Sequence, residues 1–498
     1  MTILRAAWRP EPLAIAKHPA AGNAKLRCFG DGHLLFSLVQ CVAEPPRAET
    51  GVSRREQLAS LQPGSRRRGG ELGASVDHDE PLFIDVFAGC GGLSLGLLKA
   101  GWKGLFAIEK DAFAFDTLKH NLIDDGDRYR FVWPEWLEKK PWTIEALMEA
   151  HPDELVNLRG KIDLLAGGPP CQGFSSAGRR HPGDPRNQLV ERYLEFVDAI
   201  RPKMVLIENV RGITYDFAGG NEAEGRRNFA NDIMCRLGEN YHVYADTIRC
   251  SEYGVPQQRP RFFLVGLLKF EGWEPSRAED PFAKLQASKV KFLAKRGLCS
   301  RMTCKEAISD LERSHAGTGP CLDSKGYLSI RTKPPRTDFQ RLLRDGFEGE
   351  ISDTRLAQHR PHIIERFSRI IQECREAGRL GVQLNREMRE RHGMNKIATR
   401  VLDPDNVAPT ITSMPDDLLH YSEPRTLTVR ENARLQTFPD WFVFKGKYTT
   451  GGGLRRHEVP RFTQVANAVP PLIAEMWGEV LLGYALVRHR VGRGRLAA

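Results

Sequence analysis

Leu82-Phe83-Ile84-Asp85-Val86-Phe87-Ala88-Gly89-Cys90-Gly91-Gly92-Leu93-Ser94 is the stretch whose reading decides the fold. Its opening apolar run is too short for a globular helix and reads as a buried strand. The glycines then break the pattern, and Leu93–Ala100 resumes it with helical spacing. A strand that passes through a glycine turn into a helix is the first unit of an α/β domain. The pattern repeats downstream. Gly104–Ile108, Ile162–Ala166, Met204–Glu208 and Arg261–Leu267 read as strands, and Ala112–Leu122 and Leu189–Ile200 as helices. Strands interleaved with helices predict a doubly wound parallel sheet covered on both faces, spanning residues 81–270.

Beyond residue 271 that rhythm is lost, apart from a predicted amphipathic helix over Ile363–Ala377. The charge changes at the same place. The 498-residue chain carries net +10, yet residues 81–270 are slightly acidic at −2. Residues 271–400 hold 26 Lys and Arg against 18 Asp and Glu, a local excess of +8. A basic block beside an acidic sheet is expected of a second, smaller domain facing a polyanion, although a solvated basic surface has the same composition. Residues 1–80 show no sustained period and include Arg66-Arg67-Arg68-Gly69-Gly70, so they read as a poorly ordered extension. The tail 486–498 is basic and acid-free. The best apolar run, Leu34 to Ala43, is half the length of a membrane span and sits too far from Met1 for an ordinary signal peptide. The ten cysteines are scattered with no C-x-x-C pair, which speaks for a reducing cytoplasm and against a zinc site.

Two parts of the predicted sheet carry chemistry. At the first, the Phe87–Gly92 turn lets backbone approach a ligand at a helix N-terminus, and Glu109 closes the next strand, where a carboxylate can accept from ribose hydroxyls. The dinucleotide fingerprint fails, because the sixth position counted from Gly89 is Ser94. A nucleoside cofactor without a pyrophosphate fits both signals, while either alone is equally a plain turn or a solvated acid. At the second, Gly167-Gly-Pro-Pro-Cys171-Gln-Gly-Phe-Ser175 follows a strand and places Cys171 beyond the carboxyl edge of the sheet, where such folds bind substrates. Stiff prolines before it and glycines after it suit a fixed nucleophile beside a mobile loop, with Arg179 and Arg180 available to clamp phosphates. Glu208-Asn209-Val210 ends another strand, and Arg259 and Arg261 alternate on one face of an extended segment.

Taken in order, these motifs resemble those of the DNA cytosine-5 methyltransferase family, bacterial type. The set is Phe87-Ala-Gly-Cys-Gly-Gly92, Glu109, Pro169-Pro-Cys-Gln172, Glu208-Asn-Val210 and Gln257-x-Arg-x-Arg261. It continues with Arg425–Gln436 and Gln464-Val-Ala-Asn-Ala-Val-Pro-Pro471. The likeness runs from about 81 to 485, with Ala466 standing where the family often has Gly. It implies a Rossmann-like methyltransferase domain, a target-recognition region over 271–424, and a return to the catalytic domain over 425–485. It also implies S-adenosylmethionine lying along Phe87, Ala88, Gly89, Cys90, Gly91, Gly92 and Leu93. Glu109 is then on the ribose, with Pro169, Asn467, Ala468 and Val469 closing the site. Cys171 matches the nucleophile that adds to cytosine C6, Glu208 the carboxyl on the base edge, and Arg261 and Arg259 the residues at the base carbonyl and pocket wall. Gln172, Ser175, Arg179 and Arg180 match the DNA-binding loop. The long gap after Glu109 leaves the adenine contact unplaced, with Trp133 as a candidate. No metal is implied. The expected partners are double-stranded DNA and a separate cognate endonuclease, and the expected state is a monomer. An RNA cytosine-5 methyltransferase, a catalytically silent DNA-binding relative and, more distantly, an NAD-dependent oxidoreductase remain as rival readings.

Overall fold

The computed structural model describes residues 80–124, 128–169, 188–215, 217–218, 226–270, 279–451, 454 and 457–496. The extension read over 1–80 therefore lies outside the described residues except for Glu80. So do Cys171, Gln172, Ser175, Arg179 and Arg180.

Strand β1 (Leu82–Val86) leads into helix α1 (Gly92–Lys99), followed by β2 (Lys103–Ile108) and α2 (Ala112–Lys119). Two short helices, α3 (Ile144–Ala150) and α4 (Pro152–Leu158), precede β3 (Leu164–Gly167), α5 (Gln188–Ile200) and β4 (Met204–Val210). Helix α6 (Phe229–Gly238), β5 (Tyr241–Arg249) and β6 (Pro260–Leu268) complete the sheet, whose order is β2-β1-β3-β4-β6-β5. Its first four strands are parallel, as a doubly wound reading requires. The last two are not. Strand β6 runs antiparallel to β4 and β5 antiparallel to β6, which corrects the all-parallel expectation. Strand β5 escaped the sequence reading because it is an edge strand, mostly half-buried, with Asp246 and Thr247 interrupting its apolar residues. Helix α2 also stops short of Leu122, passing into a wider turn over His120–Asp124.

Helix α7 (Pro281–Lys295) lies in the region that charge assigned to recognition, yet its Leu285, Phe292 and Leu293 join the principal core. Phe282 of α7 packs edge-on against Trp477, which also meets Phe263 of β6. Net charge reports the solvent face of a helix and not the face it buries. After α8 (Cys304–Ile308) come the hairpin β7 (Thr318–Pro320) and β8 (Leu328–Ile330), then α9 (Asp338–Arg344), α10 (Pro361–Glu376) and α11 (Arg386–Arg391). Two small cores belong to this region alone. Leu311, Ala316, Ile330, Ile351 and Leu356 form one. The other gathers Phe367, Ile370, Ile371 and Cys374 of α10 with Leu384, Met388, Val401 and Leu419. The chain then returns through α12 (Val429–Leu435), α13 (Arg461–Asn467) and α14 (Pro471–Leu496). Helix α14 packs on α1 at glycine contacts. A Cβ at Gly96 would lie 2.3 Å from the Ala474 Cβ, and Trp102 Nε1 donates to the Gly478 carbonyl at 2.9 Å. Among the described residues no helix is long and apolar enough to cross a membrane.

Asp85 of β1 is fully buried, accepts from the Ser94 hydroxyl, and has one carboxylate oxygen without a hydrogen-bond partner among the described residues. Burial pushes its carboxyl up to about 7, more than the Ser94 hydrogen bond lowers it. The folded chain thus binds this proton more tightly than the unfolded chain, so stability present at low pH is lost as pH rises toward 7. Asp85→Asn is expected to gain about 3 kcal/mol of stability over the parent as pH rises from 5 to 8. Urea midpoints at both pH values measure it, and a difference that does not grow with pH contradicts the assignment.

Candidate active site

The turn after β1 is conformationally demanding. Phe87, Gly89 and Gly91 all have positive φ, at 61°, 56° and 94°. For Phe87 this is a strained backbone held by its surroundings, including Ala88 N donating to the Ile108 carbonyl at 3.0 Å. The three glycines serve different ends. A Cβ at Gly91 would fall 2.7 Å from Leu118, and one at Gly92 only 2.4 Å from the Val469 carbonyl oxygen. A Cβ at Gly89 would meet nothing within 4 Å, so this is where the turn offers bare backbone to a ligand. Beside it, the Glu109 carboxylate accepts from Gly89 N at 2.8 Å and Asp111 N at 2.7 Å. Burial raises the Glu109 carboxyl, and those backbone amides partly counter the rise.

Other members of the predicted cofactor set play packing roles. The Cys90 side chain is buried with its thiol against the Gln464 carbonyl, and burial pushes that thiol up to about 12. Leu93 is likewise in the core. Asn467 is exposed, Ala468 half-buried and Val469 buried against Gly92. Trp133 is not available to a ligand. Its ring is buried between Phe115 and Phe131 and its Nε1 donates to the Leu137 carbonyl, because the segment after α2 lies along β2 and turns its aromatic face inward.

On the same carboxyl edge of the sheet, two strands along from β1, Glu208 near the end of β4 is 7% exposed and pairs with Arg261 of β6, Nε to Oε1 at 2.9 Å. The antiparallel register that sets Val210 opposite Arg261 produces this pairing. Asn209 Nδ2 donates to the Pro169 carbonyl at 3.1 Å, holding the chain leaving β3 beside the end of β4. A Cβ on Gly168 would lie 3.4 Å from Glu208 Oε2. Arg259 plays a different part, because its Nη2 donates to the Ala468 carbonyl at 2.9 Å. Of the two arginines that alternate along the chain, Arg261 thus meets Glu208 and Arg259 meets the Ala468 carbonyl.

Sequence reasoning gave no role to three glutamines in the same motifs. Gln257 Nε2 donates to Gln436 Oε1 at 2.5 Å while its Oε1 accepts from Ile411 N at 3.0 Å. Gln436 Nε2 in turn donates to the Ala468 carbonyl at 2.8 Å. Gln464 donates to the Lys445 and Val459 carbonyls and accepts from Thr117 of α2. Buried side-chain amides that connect distant segments leave no periodic signal, which is why only their presence in the motifs was legible. Asp163 and the Arg425–Gln436 segment form ion pairs whose carboxylates are buried. Asp163 pairs with Lys203 at 2.8 Å. Arg425 pairs with Glu431 at 2.7 Å. Arg434 pairs with Asp310 and Asp440. No cluster of three or more candidate metal ligands occurs among the described residues.

The family model for C-5 cytosine-specific DNA methylases matches residues 82–482, from the first strand of the sheet into α14. The chain belongs to this family. Among its relatives, the type II methyltransferase M.DdeI of Desulfomicrobium norvegicum is 31% identical over 413 residues, covering 80% of this chain and 88% of that one. M.AgeI of Thalassovita gelatinovora is 28% identical over 458 residues, covering 80% and 98%. A crystal structure of a putative DNA modification methyltransferase encoded within an E. coli prophage aligns with TM-score 0.52 and 25% identity, covering 81% of this chain and 99% of that one. The methylase is thus an enzyme that methylates cytosine in DNA, built on the Rossmann-like fold of methyltransferases.

In this methylase the close approach of Val469 to Gly92 joins the turn after β1 to the loop after α13. Gly92→Ala forces its new methyl into that carbonyl, which has no flexible end to give way. Displacement of this kind costs about 1–3 kcal/mol, so S-adenosylhomocysteine affinity is expected to fall about tenfold or more. Titration calorimetry measures it, and an unchanged affinity rules out the contact as a determinant of the site.

Proposed function

We propose that this methylase transfers a methyl group from S-adenosylmethionine to C5 of a flipped-out cytosine, within one short duplex sequence, through a covalent adduct with Cys171. The observation that carries the reading is the Glu208–Arg261 pair at the carboxyl end of the sheet, with the chain toward Cys171 leaving β3 beside it. Only Pro169 and Pro170 lie between Gly168 and Cys171, so chain length alone keeps the Cys171 Cα within about 11 Å of the Gly168 Cα.

The residues fit a nucleoside sulfonium. Gly89 offers bare backbone, Glu109 carries a ribose-binding carboxylate, and Asn467–Val469 border the turn. When bound, S-adenosylmethionine supplies the electrophilic methyl group. The chain does the rest. A stacked base cannot reach Cys171, so the target cytosine leaves the duplex. The Cys171 thiolate forms a bond to C6, and electron density moves to C5 and toward N3. Glu208 holds the N3 and N4 edge while Arg261 meets the base carbonyl, stabilising charge where it develops. Once C5 has taken the methyl group, with S-adenosylhomocysteine as the product left behind, the C5 proton leaves to solvent, its electron pair re-forms the C5–C6 double bond, and the Sγ–C6 bond breaks to regenerate the Cys171 thiolate. Arg259 and Gln436 act on the closing loop through the Ala468 carbonyl.

Recognition falls to residues within 271–424, which hold two small cores of their own and the local basic excess, while 425–485 complete the catalytic body. Gln172, Ser175, Arg179 and Arg180 supply the loop that grips DNA beside the flipped base. The type II relatives favour a modification role alongside a separate endonuclease, with the methylase acting as a monomer on double-stranded DNA. Mapping 5-methylcytosine at single-base resolution in DNA from cells expressing the chain tests the reading. A single short motif modified at one position is expected. Methylation confined to RNA, or none at all, overturns it.

A further inference from the structure

Away from the Glu208 end of the sheet, the densest mixed cluster lies where the β7–β8 hairpin meets helix α13. Tyr448 is 7% exposed. Its ring faces two guanidinium groups, Arg355 at 3.6 Å and Arg461 at 4.2 Å from the centroid. Its hydroxyl donates to Asp323 at 3.0 Å. Arg461 Nη1 donates to Asp323 Oδ2 at 2.6 Å and to Asp353 Oδ1 at 2.9 Å, and its Nε to the Gly446 carbonyl at 2.9 Å. Arg355 also covers Tyr327 and donates to Ser324 at 3.3 Å. Asp323, Ser324 and Tyr327 all belong to the hairpin loop of the recognition region. Tyr448 and Arg461 belong to the C-terminal motifs.

Arg461 is the first residue of α13 and Asn467 the last. The opposite end of that helix is equally fixed, since the Ala468 carbonyl is held by Arg259 and Gln436. From its middle, Gln464 grips the Val459 carbonyl. Val459 N donates to Asp111, whose own N–H donates to Glu109. A helix of seven residues is only about 10 Å long and stiff, so a shift of Arg461 carries over to Asn467. A guanidinium anchored on two carboxylates and a carbonyl has few alternative seats, and such packed junctions move between discrete arrangements.

We propose that Asp323, Tyr448 and Arg461 are positioning residues that couple engagement of DNA by the β7–β8 hairpin to closure of the cofactor site by Asn467–Val469. The proposal rests on the DNA and cofactor reading above. Contiguity alone does not make coupling, so the quantity to measure is a ratio of affinities. S-adenosylhomocysteine is titrated into the full chain with and without a duplex carrying the mapped motif. The duplex is expected to tighten binding at least about fivefold in the parent. Asp323→Asn and Tyr448→Phe are expected to reduce that ratio below about twofold, with affinity in the absence of duplex within about twofold of the parent. Neither variant empties the core. The Asp323 side chain is 43% exposed, and phenylalanine keeps the ring between the guanidinium groups. A ratio retained in both variants, a parent ratio near one, or an equal loss of affinity without duplex each overturns the coupling. Failure of the parent to bind S-adenosylhomocysteine at all overturns the underlying functional reading, and the coupling with it.

Discussion

Cys171→Ser is expected to lower methyl transfer to duplex DNA by at least about a thousandfold, a barrier increase on the order of 4 kcal/mol. The reason is chemical. Cytosine C5 is too weakly nucleophilic to attack a methyl sulfonium until a group adds at C6, and a thiolate is present at neutral pH where a serine alkoxide is not. Other thiols near the two sites cannot substitute. Cys90 and Cys250 are both buried, and burial pushes their thiols up to about 12 and about 11. At Cys250 the neighbouring Arg261 and Arg259 recover only part of that rise. Labelled S-adenosylmethionine with duplex substrate measures the loss. Duplex carrying 5-fluorocytosine in the mapped motif should trap a covalent complex, because the departing C5 proton is replaced by fluorine. Its modified peptide should contain Cys171. Full activity in the serine variant, or an adduct on any other cysteine, sinks the proposed nucleophile.

Arg434→Leu is expected to destabilise the chain by about 3–5 kcal/mol, the cost of leaving buried charges without their partner. Arg434 is fully buried in α12 and sits between two carboxylates. Its Nε and Nη2 reach Asp440 at 2.9 and 2.8 Å, its Nη2 also reaches Asp310 at 3.0 Å, and Nη1 donates to the Ala307 carbonyl at 3.2 Å. Burial by itself would raise the Asp440 carboxyl, but Arg434, with Arg430 and Arg344, outweighs it and holds Asp440 ionised. Without the guanidinium, two acids remain in the core with Arg344 as the nearest replacement for one of them. Asp310 stands at the root of the recognition region, one residue before Leu311 of its first small core, so the loss should loosen that region as well. Urea midpoints of the parent, Arg434→Leu, and Arg434→Leu with Asp310→Asn check the argument. The double replacement should recover part of the stability. A single-variant loss below about 1 kcal/mol would mean the network is not what holds α12 in place.

Much of the catalytic end was legible in order along the chain. The strand, glycine turn and helix around Gly89, the carboxylate at Glu109, and Glu208 at the end of its strand follow from local periodicity and from residue types with few other uses there. What was not legible depends on contacts between distant segments. Trp133 reads as a free aromatic beside a cofactor, but the path of its segment along β2 turns it into the core. Arg259 and Arg261 share a face in the sequence, yet the antiparallel pairing of β6 with β4 gives Glu208 to Arg261 alone. Helix α7 is basic and therefore looked like part of the reader, whereas its apolar face belongs to the main core.

The ordered motifs and the strand–helix periodicity were enough to give the fold class, the family and the methylation of DNA cytosine that goes with it. Periodicity and residue type are local properties, and they survive in a linear string. Only the tertiary structure decided that Gly92 is glycine because of Val469, that Gln257 and Gln436 hold the Ala468 carbonyl network, and that Arg461 joins the β7–β8 hairpin to the helix ending at Asn467. Those are contacts between residues as much as several hundred positions apart, and their geometry exists only once the chain has closed on itself.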